Sequence, residues 1–194
     1  MIVIAIVAVL SAAAVPALNA VTGANARAAA GELAGAARYL FDTSALRHQT
    51  CRLALDVDHA AWWAECAQDR AFAPRARGAG ARREEDEAAL EDRLPDERDA
   101  NKRKLLASSR FGEFSDRLAR KRSLPGGASF EDVWSEHQRE PVKKGMAYVY
   151  FFPNGQAEAA RVPVVDGSNV CSVLTQPFTG HAKVVTGKPE VPRS

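Results

Sequence analysis

Apolar side chains fill almost every position from Ile2 to Leu18, and no charged side chain occurs before Arg27. A helix of those first residues, 1–26, would extend ~39 Å, enough to cross a ~30 Å hydrocarbon layer. The run does not end at a turn. It passes through Arg27 into Ala-rich sequence where Leu33, Ala37, Leu40 and Ser44 share one helical stripe, flanked by Ala34, Phe41 and Ala45. Glu32, Arg38, Asp42 and Arg47 fall off that stripe. The pattern predicts one long helix, apolar in its first half and amphipathic in its second.

Past His48 the period changes from 3.6 to 2. Cys51 to Val57 alternates, and Ala60 to Cys66 answers it across Asp58-His59. A symmetric turn there pairs Leu55 with Trp62, Leu53 with Ala64 and Cys51 with Cys66 on one face. The other face pairs Ala54 with Trp63 and Arg52 with Glu65, opposite charges directly across. Strand patterns return after Pro125-Gly126-Gly127. Phe130 to Trp134 is a short candidate, and Ala147 to Phe152 is rich in aromatic and β-branched residues. Pro153-Asn154-Gly155 turns, Ala157 to Val165 returns, Asp166-Gly167 turns again, and Val170 to Thr175 and Ala182 to Val185 follow. The expected fold class is α+β: a long N-terminal helix packed on a C-terminal antiparallel β-sheet domain.

Between the two strand regions lies a different material. Of the 50 charged residues, 27 fall between Asp69 and Arg122, and large apolar side chains are scarce there. Opposite-charge spacing permits a solvated helix in part of this block, and a mobile loop is equally allowed. Rapid proteolysis within Arg75 to Lys104 is expected. The chain thus divides into an assembly or membrane half-helix (1–26), an amphipathic half-helix (27–49), a first hairpin (50–68), a charged insertion (69–127) and a C-terminal β region (128–194).

The opening segment has the apolar length of a cleaved secretory signal, but it lacks a basic start and no helix-breaking turn follows it. A plain membrane anchor is a second reading. A helix that packs into a helical array accounts for more. Pro16 inside a helical run predicts a kink, which neighbouring helices accommodate. Small residues, among them Ser11, Ala12, Ala14, Ala24 and Ala28, provide a face for close helix–helix approach.

Charge and candidate chemistry narrow the function classes. A formal charge of +2 is too balanced to argue for a nucleic-acid partner, and none is expected. His48, His59, His137 and His181 stand apart, with no nucleophile elbow and no phosphate-binding glycine loop. Asp56, Asp58 and Asp166 sit near turns without the spacing of a calcium loop, so a turn-forming role is expected. Trp62, Trp63 and Trp134 are expected to fill the core. The three cysteines fit no zinc pattern, and their odd number leaves at least one free or paired between chains. No catalytic residue, metal or cofactor is expected, and the chain is read as a non-enzyme.

The segment with Val15-Pro16-Ala17 resembles the N-terminal helix of type IV pilins and type II secretion pseudopilins. Within that group the chain resembles most the H-type minor pseudopilins (general secretion pathway protein H), related to FimT-like minor pilins. The residues that carry this are Ala36-Ala37-Arg38-Tyr39-Leu40 running into the first hairpin, then Tyr148 to Glu158, Asp166-Gly167 and Pro177 to Val184. The resemblance covers residues 2–66 and 128–187, leaving the charged insertion unmatched. By this resemblance Met1 is expected to align several residues inside the family's mature helix, past the positions of the family's basic leader and early glutamate. The resemblance implies a minor subunit at or near the tip of a type II secretion pseudopilus, anchored in a bacterial inner membrane with its β domain in the periplasm. Implied partners are other pseudopilins, the inner membrane through the N-terminal helix, the secretin and secreted substrates. A FimT-like type IV minor pilin touching DNA, and a membrane-anchored periplasmic binding domain, are the alternatives. In an oxidising periplasm Cys51 and Cys66 would form a disulfide; otherwise they remain two buried thiols.

Overall fold

The computed structural model describes residues 2–67, 111–114, 116, 120–138 and 140–190, with side chains of the first helix described from Gly23 onward. The fold is α+β, with one long N-terminal helix on antiparallel sheets. Helix α1 runs unbroken from Ile2 to Arg47, 46 residues, about 69 Å at 1.5 Å per residue. His48 follows it with a left-handed backbone (φ 52°), the conformation that commonly closes a helix, and Gln49 N–H returns to Ser44 O.

Among the described residues eleven strands follow: β1 Cys51–Asp56, β2 Ala61–Ala67, β3 Phe111–Glu113, β4 Arg122–Ser123, β5 Ser129–Phe130, β6 Trp134–Ser135, β7 Met146–Phe152, β8 Gln156–Ala157, β9 Ala160–Asp166, β10 Asn169–Thr175 and β11 Ala182–Thr186. They form two antiparallel sheets rather than one. The first has the order β3-β2-β1-β7-β8, with β4 also on the edge of β2; the second has the order β11-β10-β9-β5, with β6 also on β9. The first hairpin is therefore not a separate unit, because β1 lies between β2 and β7.

The hairpin register is the one its sequence predicts: Cys51 opposite Cys66, Arg52 opposite Glu65, Leu53 opposite Ala64, Ala54 opposite Trp63 and Leu55 opposite Trp62. Alternation then sorts the side chains. Leu53, Leu55, Trp62, Ala64, Ala147, Val149 and Phe151 enter the core beneath α1. Of the three tryptophans only Trp62 is a core residue; Trp63 and Trp134 are half-buried. Strand parity explains this for Trp63, which as the neighbour of Trp62 must point to the other face.

Two stretches that read as single strands are broken. Phe130 to Trp134 divides into β5 and β6, with Val133 bridging instead to Val142. Ala157 to Val165 divides into β8 and β9, which belong to different sheets. Glu158 sits at that crossover with its side chain 5% exposed. Its backbone N–H donates to Tyr150 O, and its carboxylate accepts the backbone N–H groups of His137 (2.6 Å) and Tyr150 (3.2 Å). The side chain substitutes for ladder partners that the crossing chain forgoes, so a carboxylate is tolerated in the interior.

Two short strands lie in the described end of the charged insertion. β3 pairs with Glu65 to Ala67 and β4 with Ala61 and Trp62, together covering the outer edge of β2. The expected solvated helix and the protease-sensitive stretch from Arg75 to Lys104 lie outside the described residues.

Candidate functional site

The candidate site is α1 itself, whose second half is committed to the β domain on one face only. Ala26, Ala29, Ala30, Leu33, Ala36, Ala37, Leu40 and Ser44 are buried against the inner faces of both sheets. Burying Leu33 and Leu40 contributes about 2 kcal/mol each. The alanines contribute less but let the backbone approach the strands closely.

Polar and geometric locks fix the register of this seat. Gly23 lies against the Asn169 side chain, and Asn25 occupies the space where a Cβ on Gly126 would stand. Glu32 meets Arg122 at 3.5 Å, and Tyr39 Oη donates to Asp116 Oδ2 at 2.7 Å. That hydrogen bond, with burial second, holds the Tyr39 phenol above its ordinary pKa. Lower down, Ser44 Oγ donates to Phe41 O and lies 3.2 Å from Phe152 O, and Phe41 fills the place where a Cβ on Gly180 would stand.

Gly180 also has φ 59°, in the left-handed region. A Gly180→Ala substitution is therefore expected to cost about 1–3 kcal/mol, from backbone strain and from the overlap with Phe41. Thermal melts check this. In a Phe41→Ala background the overlap part of the loss should disappear and only the backbone part remain.

Opposite the seat, Ala24 and Ala28 are exposed, two of the five small residues proposed from sequence as an assembly face. Helical spacing places Gly31 and Gly35 on the same stripe. Both are exposed, and a Cβ on either would meet nothing within 4 Å. Both fall within the small-residue stretch from Ala24 to Ala37 that the sequence offers for helix–helix approach, and their Gly-x-x-x-Gly spacing adds to it. Each Gly in a helix interior costs about 1 kcal/mol relative to Ala, so two on an exposed face are not explained by monomer stability. Ser11, Ala12, Ala14 and the Pro16 ring lie in the part of α1 whose side chains are outside the described residues; the helix passes through position 16 without a break. Among the described residues no helix is long and apolar enough to cross a membrane.

Two further clusters bear on chemistry. Cys51 is bonded to Cys66 across β1 and β2, and Cys171 is a free, buried thiol. His137 does not stand apart. Its Nδ1 meets Glu158 Oε1 and lies 3.0 Å from Ser135 Oγ, and its ring packs edge-on against Tyr150. Serine and carboxylate converge on the same ring nitrogen. A relay needs them on opposite nitrogens, so the cluster ties β6 to β7 and β8 instead of arming a nucleophile. Asp56 accepts the backbone N–H of His59 and Asp58 that of Gly145, each securing a turn. Among the described residues no three His, Cys, Asp or Glu side chains are grouped to hold a metal.

No family model and no curated protein matches the chain. It is similar in structure to the minor pseudopilin EpsH from the type 2 secretion system of Vibrio cholerae. The similarity covers 84% of this chain and 95% of that one, at 10% sequence identity and a TM-score of 0.46.

Proposed function

We propose that this chain is a structural minor pseudopilin of a type II protein secretion system. The observation that carries the reading is the division of α1. One face of its second half is spent on the β domain, while Ala24, Ala28, Gly31 and Gly35 present an exposed small-residue stripe continuous with an uncharged first half. A subunit that worked alone would have no use for either.

In this reading the first half of α1 resides in the bacterial inner membrane before assembly, supported by the absence of charge before Arg27. On assembly it moves against the helices of other pseudopilins, with Pro16 introducing the bend that lets neighbours nest. The β domain stands in the periplasm, at or near the filament tip, where it would meet secreted substrates and the secretin. Cys51–Cys66 belongs in such an oxidising compartment. The role is mechanical support of export and involves no catalysis.

Single cysteines at Ala24 and Ala28, in cells that express the secretion system, test the reading by oxidative cross-linking. The expected result is a covalent adduct with another pilin-like subunit through its N-terminal helix. Absence of any such adduct, with the chain present at normal level, would overturn the filament role.

A further inference from the structure

The second sheet ends at β11, and among the described residues that edge is open. β11 pairs with β10 from Ala182 opposite Thr175 to Thr186 opposite Cys171. The ladder is framed by Gln176 N–H to His181 O at 3.1 Å and Gly187 N–H to Val170 O at 2.7 Å. Antiparallel alternation then turns the backbone groups of Lys183 and Val185 toward β10 and those of Ala182, Val184 and Thr186 away from it. Among the described residues no backbone hydrogen bond reaches β11 from any element but β10.

The other outer strands of the two sheets are brief: β3 has three residues, and β4, β5, β6 and β8 have two each. Short edges are a common protection against unwanted pairing. β11 has five residues, with no proline, glycine or bulge, and a single charge, Lys183. Lys183 is exposed, and no acidic side chain among the described residues pairs with it. Phe178, in the loop that leads into β11, is 80% exposed. An unpaired strand edge, an uncompensated lysine in its centre and a solvated aromatic ring at its start lie in one continuous segment.

We propose that β11 accepts an extended strand from a partner protein, with an acidic residue opposite Lys183 and apolar residues opposite Val185 and beside Phe178. Strand addition is the form of recognition that three outward backbone pairs specify, because it satisfies all of them at once. A side chain directly across from Lys183 stands about 5 Å away, where a carboxylate is favourable and a cation is not. That charge argues for a partner other than a second copy, which would bring its own lysine to the seam. The surface is separate from the helix stripe, so its failure would leave the filament role standing.

The probe is a synthetic, end-capped heptapeptide, Thr-Val-Thr-Glu-Val-Thr-Val, added to the full chain and followed by amide hydrogen exchange and fluorescence anisotropy. Saturating peptide is expected to slow exchange at Ala182, Val184 and Thr186 and to leave the already bonded Lys183 and Val185 unchanged. The same peptide with Lys in place of Glu should bind several-fold more weakly, and Lys183→Glu should reverse that preference. Val184→Pro removes an outward N–H without breaking a β10 ladder bond, so it should abolish binding while lowering the melting temperature only by the lost packing of this half-buried side chain. Val184→Ala, which loses the same packing but keeps the N–H, should still bind. Uniform protection along β11, binding that survives Val184→Pro, or protection of the same three amides by self-association without peptide would each overturn the proposal.

Discussion

Glu65→Ala is expected to destabilise the chain by about 3 kcal/mol, more than its position near the surface of a hairpin suggests. Its partner Arg52 is 4% exposed in the middle of β1, with its Nε 2.5 Å from Glu65 Oε2. The guanidinium is held between the rings of Phe111 and Tyr148, each centroid 4.2 Å away. Glu65 is itself fixed by Trp63 Nε1–H at 2.7 Å. Removing the carboxylate takes away the close ionic contact of a buried cation, and the aromatic faces, with the Tyr150 hydroxyl 3.5 Å from Nη1, offset only part of the loss, about 1–2 kcal/mol. Replacing both members, Arg52→Met with Glu65→Leu, should restore most of the stability, since neither charge then has to be desolvated. Urea titrations of the two singles and the double form a complete cycle. A loss below about 1 kcal/mol for Glu65→Ala would mean that the rings and neighbouring dipoles alone hold the guanidinium.

The second large effect concerns Gly31 and Gly35, and it has opposite signs in the monomer and in the assembly. Alanine at both positions should stabilise the isolated subunit by about 1 kcal/mol each, because an exposed helical glycine gives up the most backbone freedom. Leucine at either should leave the fold intact, as nothing lies within 4 Å of the added Cβ. In the assembly a large side chain would hold neighbouring helices apart. At about 1–2 kcal/mol per close helix contact, recovery of the Gly35→Leu subunit in filament fractions should fall on the order of tenfold. Normal recovery, with the melting temperature unchanged, would place the assembly contact elsewhere on α1.

These two sites also mark where the sequence could be read and where it could not. The hairpin was legible because three independent signals, apolar alternation, the Arg52–Glu65 charges and the cysteines, agree on one register. The seat of α1 was legible from the spacing of Leu33, Ala37, Leu40 and Ser44, all of which are buried. What lay hidden depends on tertiary context. Nothing local tells that Phe111 to Glu113 and Arg122-Ser123 become strands, since each is too short to show a period and each forms only because the edge of β2 is there to receive it. The break between β8 and β9 was masked by apolar residues on both sides of Glu158, whose charge reads as an exposed position until its three backbone contacts are seen. His137 looked isolated for the same reason: its partners Glu158 and Tyr150 lie 21 and 13 positions away in the chain.

The covalent link between Cys51 and Cys66 sits at an instructive point in the chain path. Tension drawn along α1 that its buried seat does not take up leaves the helix through Gln49 and Thr50 and enters the β domain at Cys51. There it meets a sulfur bridge to β2, one residue after the hydrogen bond from Ala67 N–H to Thr50 O. The load is divided at once between two strands, and β1 is further gripped by β7 on its other side. Peeling the first hairpin open would require breaking a covalent bond at its mouth. The helix can be pulled without unzipping the domain that hangs from it.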